Sequence, residues 1–282
     1  MKIVLAEVPY TKDRDISVEK SCVPEGAELT MAVFDEHAEN NDAFYAEIKD
    51  ADMLVCFGGD GTILHASKLA TAHNLPILGI NIGTMGFIAE LEAGELELLR
   101  RLPAGDYTIE PRSMIDVTVT GANGQRLLHE TALNDAVITK GAIARVIQIG
   151  ISCDGVDATA FSGDGVIVCT ATGSTAYSLS AGGPVVEPTA RNLIVSPICA
   201  HSVHANSYVL SPERTVTVQT EKTGYKPIFL SADGGRAFSL RNGDAVEIRR
   251  SKYETKLVRL SNKSFCDILQ KKMLMGVLGH EE

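Results

Sequence analysis

Residues 53–62 have the sequence MLVCFGGDGT, in which an apolar run ends in three glycines around Asp60. The run at 53–57 is typical of a buried strand, and apolar residues recur at helical spacing over 62–72. Glycines at such a junction let backbone N–H groups approach a ligand closely, and the start of the helix favours negative charge. The segment therefore predicts a phosphate-binding loop that contains no lysine.

Asp60 needs its own explanation, because a carboxylate among phosphate-binding amides would repel the phosphate. It could accept a proton from an attacking hydroxyl group, or hold a metal ion that bridges the phosphates. In the alternative interpretation the segment is only a tight turn, and Asp60 caps the helix. Neither the Walker pattern nor GxGxxG occurs in the chain.

The rest of the N-terminal part alternates between strand and helix patterns. Strands are predicted at 2–6, 29–34, 53–57 and 76–80, and helices at 42–49, 62–72 and 91–102. This alternation predicts an α/β domain at 1–108 with a mostly parallel, Rossmann-like sheet.

From about residue 107 the chain is richer in strand patterns, at 114–120, 133–139, 146–152, 166–170, 215–220, 227–231 and 245–249. The dipeptides Asn123-Gly124 and Asn242-Gly243 are typical of hairpin turns. One helix pattern begins at Ser174, and another covers 264–274. We therefore predict an all-β-rich domain at 109–255. The C-terminal helical segment at 256–282 could pack on either domain, including back on the N-terminal one.

Composition excludes several classes of protein. The 282 residues include 26 basic and 36 acidic ones, which gives a net charge of −10 and argues against a nucleic-acid partner. A hydrophobic content of 45% excludes a disordered chain. No run of about 18 apolar residues occurs, and the start MKIVLAEVPY lacks the pattern of a secretory signal. We expect no membrane partner and a cytoplasmic location.

The six cysteines are scattered and include no CxxC pair, which predicts reduced thiols. Cys199, His201 and His204 are residue types that bind metals, but their spacing fits no common zinc pattern. A polar loop is the preferred interpretation, and no metal ligand is predicted.

Two further glycine-rich segments follow predicted strands. In residues 79–87, GINIGTMGF, Phe87 could stack on a base or belong to the core. In residues 163–178, GDGVIVCTATGSTAYS, small hydroxyl groups suit a ribose or an adenine edge. Taken alone, Ser174 could be only an N-cap, and GxSxG is absent from the chain.

Between these segments, Asn134 and Asp135 interrupt an otherwise apolar predicted strand and should face opposite sides of it. A buried carboxylate costs free energy unless it is paired or exposed. A ribose diol would suit Asp135, and the amide of Asn134 can bind a purine. The alternative is a turn at the end of a strand.

Taken in order, these four segments resemble the bacterial NAD kinases, which are ATP- or polyphosphate-dependent NAD 2′-phosphotransferases. The resemblance covers nearly the whole chain. The motif at 58–61 is shared with phosphofructokinases and with diacylglycerol and sphingosine kinases, whereas Asn134-Asp135 and residues 172–177 distinguish NAD kinases. The resemblance implies a Rossmann-like domain, a β-rich domain, and transfer of a phosphoryl group to the 2′-hydroxyl of the adenosine ribose of NAD, with Mg²⁺.

The resemblance also implies roles for individual residues. Asp60 would be the catalytic base, Phe87 would cover the adenine, and Asp164 would lie toward the nicotinamide. The loop with Pro197, Cys199 and His201 would approach NAD at a subunit contact of a homodimer or homotetramer, with the β-rich half as the interface. The donor phosphates of ATP would lie on Gly58, Gly59, Gly61 and Thr62. The implied NAD-binding residues are Asp60, Gly61, His65, Phe87, Asn134, Asp135, Arg145, Ser162, Asp164, Thr172, Thr175, Ala176, Tyr177, Ser178, Ser180 and Cys199.

The chain departs from the family pattern at a few positions. Many relatives carry Glu at the place of Asp135, and many carry Arg or Lys at the place of Ser162. Ala171 replaces a common proline, and Gly235 stands where Asp-Gly-Gln is frequent after Asp233.

Two other functions remain as alternatives. The first is another kinase with the same glycine motif, acting on a lipid or a sugar. A lipid kinase should present an apolar or basic membrane face, which this acidic chain lacks. The second is a dinucleotide sensor without catalysis, against which an intact Asp60 argues.

Overall fold

Two units make up the part of the chain that the computed structural model describes, which is residues 1–7, 25–33, 42–83, 86–142, 145–202, 205–221, 227–261 and 263–278. One unit comprises Met1–Pro111 with Thr255–Glu282, and the other comprises Arg112–Glu254. The predicted residues Phe34, Thr84, Met85 and His204 lie outside the described ranges.

The first unit begins with alternating strands and helices. The strands are β1 (Lys2–Glu7), β2 (Glu28–Val33), β3 (Met53–Gly58), β4 (Pro76–Asn81) and β5 (Leu91–Glu92). The helices are α1 (Asp42–Ile48), α2 (Asp60–Ala72) and the 3₁₀ helix Ala93–Arg101.

The second part of the chain consists mainly of strands. They are β6 (Thr108–Thr120), β7 (Arg126–Ala132), β8 (Asp135–Lys140), β9 (Ile147–Cys153), β10 (Val156–Gly163), β11 (Gly165–Cys169), β12 (Leu193–Ile198), β13 (Tyr208–Leu210), β14 (Thr215–Glu221), β15 (Ile228–Ala232), β16 (Phe238–Leu240) and β17 (Ala245–Arg259). The 3₁₀ turn Thr172–Thr175 and the short helix α3 (Tyr177–Ser180) follow β11, and α4 (Phe265–Leu278) follows β17.

A parallel sheet organises the first unit. Its order is β2-β1-β3-β4, and Lys256 and Leu257 at the end of β17 pair in parallel with β4. β3 is buried along its whole length. Helix α2 packs so closely on β4 that a Cβ atom at Gly79 would lie 2.6 Å from Cδ1 of Ile63. The predicted α/β class with a mostly parallel sheet is confirmed.

The second unit is built from antiparallel strands. One set has the order β10-β9-β14-β17, a second sheet has the order β13-β12-β11-β8-β15-β16, and β6 pairs with β7. Buried aliphatic residues of both sheets, among them Ile138, Val166, Ile149 and Val216, form one core cluster. The predicted β-rich second half is confirmed, and no described helix has the length and apolar character to cross a bilayer.

The prediction of one helix over 91–102 is wrong in detail. Residues 91–92 instead pair with β4 as strand β5, and a 3₁₀ helix follows. Leu96, Leu99 and Leu102 are buried at intervals of three residues, which matches the three residues per turn of a 3₁₀ helix. Glu92 and Glu95 form a capping box at its start.

Glu90, in the connection between β4 and β5, carries a buried ion pair. Its side chain is 5% exposed, and its carboxylate accepts hydrogen bonds from N–H of Leu260 (2.9 Å) and of Ser261 (2.6 Å) and from the guanidinium of Arg259 (3.0 Å). Arg259 also donates to Glu110 at 2.9 Å. These contacts fasten the connection after β4 to the chain that follows β17.

We expect Glu90→Ala to destabilise the protein by about 2–3 kcal/mol, because it leaves the N–H groups of Leu260 and Ser261 without their acceptor and removes one of the two carboxylates that pair with Arg259. The decrease in the free energy of unfolding would be measured by urea denaturation monitored by circular dichroism. The matched control is Asp106→Ala, which removes an exposed pair with Arg101 (2.7 Å) and should change the midpoint little. If the two substitutions lowered the free energy of unfolding equally, the buried ion pair of Glu90 would not be the stabilising contact.

Candidate active site

The glycine loop joins β3 to α2 in the first unit. Gly59 is the N-cap residue, with extended backbone (φ −83°, ψ 177°) and no side-chain hydrogen bond, and Asp60 is the first residue of the helix. Asp60 therefore does not cap α2, which removes that alternative. The first N–H groups of a helix have no partner within the helix, so this end can receive an anion.

The carboxylate of Asp60 is held by the loop that follows β4. Its Oδ2 accepts a hydrogen bond from N–H of Phe87 at 2.7 Å, and its Oδ1 accepts one from N–H of Ile88 at 3.1 Å. A Cβ atom at Gly86 would overlap Oδ1 of Asp60, so only glycine allows the loop to pass there. The loop thus fixes the orientation of the carboxylate.

The glycines of the motif differ in what surrounds them. A Cβ atom at Gly58 would lie 2.5 Å from Cβ of Thr62, so packing within the protein requires glycine there. A Cβ atom at Gly59 or Gly61 would meet no atom of the described residues within 4 Å. Neither of these two glycines has a positive φ. The protein's own structure therefore does not require glycine at 59 and 61, and close approach of a ligand would explain it.

Asn81 ends β4 beside Gly58 in the ladder and is buried. Its Nδ2 donates to Oε2 of Glu92 at 2.7 Å, and its Oδ1 accepts from N–H of Gly83 at 3.2 Å. Asn81 thereby supports the loop that carries Phe87. The side chains of His65 and Phe87 are partly exposed.

In the second unit, the connection at 133–134 links β7 to β8, so Asn134 lies in a turn and the predicted strand at 133–139 begins only at Asp135. Oδ1 of Asn134 is buried and has no hydrogen-bond partner among the described residues. Asp135 is 5% exposed and pairs in the ladder with Cys169, whose pKa is raised to about 12 by burial. The second unit therefore holds a buried acceptor that a ligand donor could satisfy.

The chain around residues 170–173 supports this connection from one side. Thr170 donates from Oγ1 to the carbonyl O of Leu133 at 2.6 Å and from its N–H to the carbonyl O of Asn134 at 2.9 Å. A Cβ atom at Gly173 would overlap the carbonyl O of Asn134. The structure thus brings Asn134 and Asp135 together with the start of the hydroxyl-rich segment.

Asp233 holds the connection at 133–134 from the other side. The sequence pattern does not identify Asp233 as a site residue. Its Oδ2 accepts from N–H of Leu133 (2.8 Å), and its Oδ1 accepts from N–H of Asn134 (2.7 Å) and of Asp135 (3.2 Å). One signal in the sequence could have pointed to Asp233. It is an aspartate at the end of an apolar strand, directly before a glycine, Gly234.

Several hydroxyl groups of the glycine-rich segment at 163–178 form hydrogen bonds within the protein. Ser174 donates from Oγ to the carbonyl O of Ala171 (2.7 Å) and accepts from N–H of Val186 (3.0 Å), so it braces a loop and is not an N-cap. Oγ of Ser178 lies 2.8 Å from Oγ of Ser196, and both are buried. Thr172 is buried, Thr175 and Ala176 are partly exposed, and Tyr177 and Ser180 are exposed.

The remaining predicted residues lie at other points of the second unit. Asp164 forms an ion pair with Lys140 (2.5 Å), and Ser162 accepts from Nε2 of Gln148 (2.6 Å). Cys199, with φ 45°, and Arg145 are exposed.

Comparison with known proteins gives the same family for both parts of the chain. Residues 10–107 match the model of the ATP-NAD kinase N-terminal domain, and residues 133–260 match that of the ATP-NAD kinase C-terminal domain. The NAD kinase of Natranaerobius thermophilus is 41% identical over 227 residues, which cover 80% of this chain and 79% of the relative. The NAD kinase of Caldanaerobacter subterraneus subsp. tengcongensis is 35% identical over 274 residues, which cover 93% and 95%.

Solved structures of NAD and NADH kinases have the same fold as this chain. An NAD kinase from Archaeoglobus fulgidus in complex with ATP matches 96% of this chain and 97% of its own, with a TM-score of 0.69 and 27% identity. Yeast NADH kinase complexed with NADH has the same fold, with a TM-score of 0.79 over 100% of this chain and 89% of its own, at 22% identity. Both halves of the chain, with the glycine loop in one and the Asn134 connection in the other, thus belong to the NAD kinase family.

Proposed function

We propose that the chain transfers the terminal phosphoryl group of ATP, or of polyphosphate, to the 2′-hydroxyl group of the adenosine ribose of NAD, giving NADP and, from ATP, ADP. The observation that carries this proposal is the glycine loop, where a helix start and a fixed carboxylate adjoin open space above Gly59 and Gly61. Phosphoryl transfer depends mainly on positioning and on neutralisation of charge, which such a loop can provide.

In the proposed reaction Asp60 is the general base. The 2′-hydroxyl oxygen attacks the terminal phosphorus, its proton passes to the carboxylate of Asp60, and the bond from phosphorus to the bridging oxygen of ADP breaks. The N–H groups of Phe87 and Ile88 occupy one acceptor site on each carboxylate oxygen. An ionised carboxylate has about four acceptor sites, so others stay open to the hydroxyl group.

The donor phosphates would lie on the N–H groups at the start of α2, around Gly58, Gly59, Gly61 and Thr62. Backbone amides and the positive end of a helix bind phosphate without basic side chains. Such binding is consistent with a chain whose net charge is −10.

Magnesium would reach this site with ATP. Mg²⁺ is usually held by one or two carboxylates together with substrate phosphates and water. The carboxylate at the loop, Asp60, serves as the base in the proposed reaction, and among the described residues no group of three or more His, Cys, Asp or Glu side chains could hold the ion alone. The residues present thus fit an ion carried by the phosphates. When bound, it would neutralise charge on the phosphate oxygens.

NAD would be recognised in part by the connection at 133–135. The buried Oδ1 of Asn134 would accept a hydrogen bond from the 6-amino group of adenine, since a buried acceptor without a partner costs free energy. Asp135 would accept from ribose hydroxyl groups. The other NAD-binding residues implied by the family resemblance keep their proposed roles.

We further propose that the protein works in the cytoplasm as a homodimer or homotetramer, with the β-rich unit as the interface. The described cysteines Cys56, Cys153, Cys169, Cys199 and Cys266 are free thiols, which suits a reducing compartment.

The direct test measures NADP formed from NAD with ATP and, in parallel, with polyphosphate. NADP with either donor would support the proposal and identify the donor. The absence of NADP with both would overturn it and favour a dinucleotide sensor.

We expect Asp60→Asn to lower turnover at least about a hundredfold, because the amide cannot accept the hydroxyl proton. The affinity for NAD, measured by calorimetry, should fall much less than turnover, since the amide leaves only one of the two N–H groups at 87–88 without an acceptor. Asp42→Asn is the matched control, since Asp42 is exposed in the first turn of α1, and it should leave turnover unchanged. Turnover near the wild-type rate in Asp60→Asn would show that another group accepts the proton.

Gly58 and Gly61 provide a second comparison. Gly58→Ala should destabilise the protein by about 1–3 kcal/mol, because the added Cβ atom collides with Thr62. Gly61→Ala should retain stability, because alanine suits a helix and the added atom meets no atom in the part of the chain that the structure describes. It should nevertheless raise KM for ATP at least about tenfold, which corresponds to about 1.4 kcal/mol.

Thermal unfolding and steady-state kinetics of the two purified variants would measure these effects. An unchanged KM for ATP in Gly61→Ala would argue against phosphates lying on this loop.

A further inference from the structure

Asp233 has a left-handed backbone conformation, which most residues other than glycine, asparagine and aspartate seldom adopt. Its backbone has a positive φ of 52°, its side chain is buried, and the next residue, Gly234, also has a positive φ. Its own N–H donates to the carbonyl O of Asp135 at 2.9 Å and so extends the ladder between β15 and β8 by one step. A non-glycine residue in this conformation costs free energy that other interactions must offset.

The interactions that offset this cost are the three hydrogen bonds from consecutive N–H groups at 133–135 to one carboxylate. Three N–H groups that converge on one anion fix the backbone of the connection. Asp233 is buried and both of its oxygens receive these bonds, so its carboxylate is committed to holding the connection. Thr170 and Gly173 confine the same connection from the other side.

The side chain of Asn134, within this connection, presents its amide oxygen to no donor in the described ranges. Oδ1 of Asn134 is buried and without a hydrogen-bond partner among the described residues, although the backbone on either side is fully engaged. A rigid backbone with an unsatisfied acceptor is the arrangement expected of a preorganised recognition group, because the ligand then loses less entropy on binding.

We propose that Asp233 is a positioning residue for recognition of the purine amino group. Its carboxylate fixes the backbone conformation of residues 133–135. That conformation in turn determines the direction in which Oδ1 of Asn134 points. Asp233 does not contact the substrate in this proposal. The inference rests on the proposed function, because it takes NAD as the ligand of Asn134.

The test compares the wild-type chain with Asp233→Asn and Asp233→Glu. Asparagine keeps the size of the side chain but presents an amide N–H₂ to backbone donors, and glutamate keeps the charge but lengthens the reach. For each protein, KM is measured for NAD, for ATP and for nicotinamide hypoxanthine dinucleotide, in which a carbonyl group replaces the 6-amino group. Thermal unfolding establishes that each variant is folded.

The wild type should prefer NAD to the hypoxanthine analogue at least about tenfold in kcat/KM, because the carbonyl group cannot donate to Oδ1 of Asn134. Both Asp233 variants should raise KM for NAD at least about tenfold and lose most of this preference. KM for ATP should stay within about twofold of wild type, since the phosphate loop is untouched. A purely structural role would not change the preference between the two dinucleotides.

Asp154→Asn is the matched control. Asp154 also has a positive φ, of 51°, and its carboxylate also accepts a backbone N–H, from Thr215 at 2.9 Å, but it is exposed in a turn. This variant should keep the wild-type constants and the wild-type preference for NAD.

The inference is overturned if the folded Asp233 variants keep the preference for NAD, or if KM rises equally for ATP and NAD. If Asp233→Asn does not fold, Asp233→Glu decides the question by the same two criteria. A wild-type chain that makes no NADP would instead be a failure of the proposed function, so the two failures are distinguishable.

Discussion

The contact between the Asp60 carboxylate and the N–H groups of Phe87 and Ile88 is the constraint on which the first unit's site depends. β3 and β4 are neighbours in a parallel sheet, so the loops at their carboxyl ends emerge side by side. A carboxylate in the first turn of α2 can therefore reach the loop after β4, provided that a residue without a side chain lies between them. Gly86 meets that requirement, and Asn81 and Glu90 hold the two ends of the same loop.

The second unit fixes its irregular connection in a similar way. There the carboxylate of Asp233 receives consecutive N–H groups, and Thr170 and Gly173 leave no room on the other side. In both units a carboxylate accepts neighbouring backbone N–H groups and so fixes an irregular segment of the chain without a basic side chain.

The sequence was sufficient to predict the features that depend on local pattern. The apolar run before Gly58, the alternation of strands and helices, and the β-rich second half all follow from periodicity and turn residues. The 3₁₀ helix was missed because leucines at 96, 99 and 102 also fit an α-helical face. Strands such as β7 and β10 were missed because their outer residues are polar or small and their alternation is weak. The local pattern places Asn134 in a strand and gives Asp233 no role, because their positions depend on hydrogen bonds between residues about a hundred positions apart.

Gly61 also limits how far the heat resistance of this protein could be raised by directed evolution. Directed evolution for heat resistance would favour alanine there, since the exchange can stabilise a helix by up to about 1 kcal/mol and nothing in the fold opposes it. The same exchange would fill the space assigned to a phosphate. A screen that scores only survival on heating would thus tend to accumulate robust but inactive proteins, whereas one that alternates heating with an activity threshold would retain this glycine.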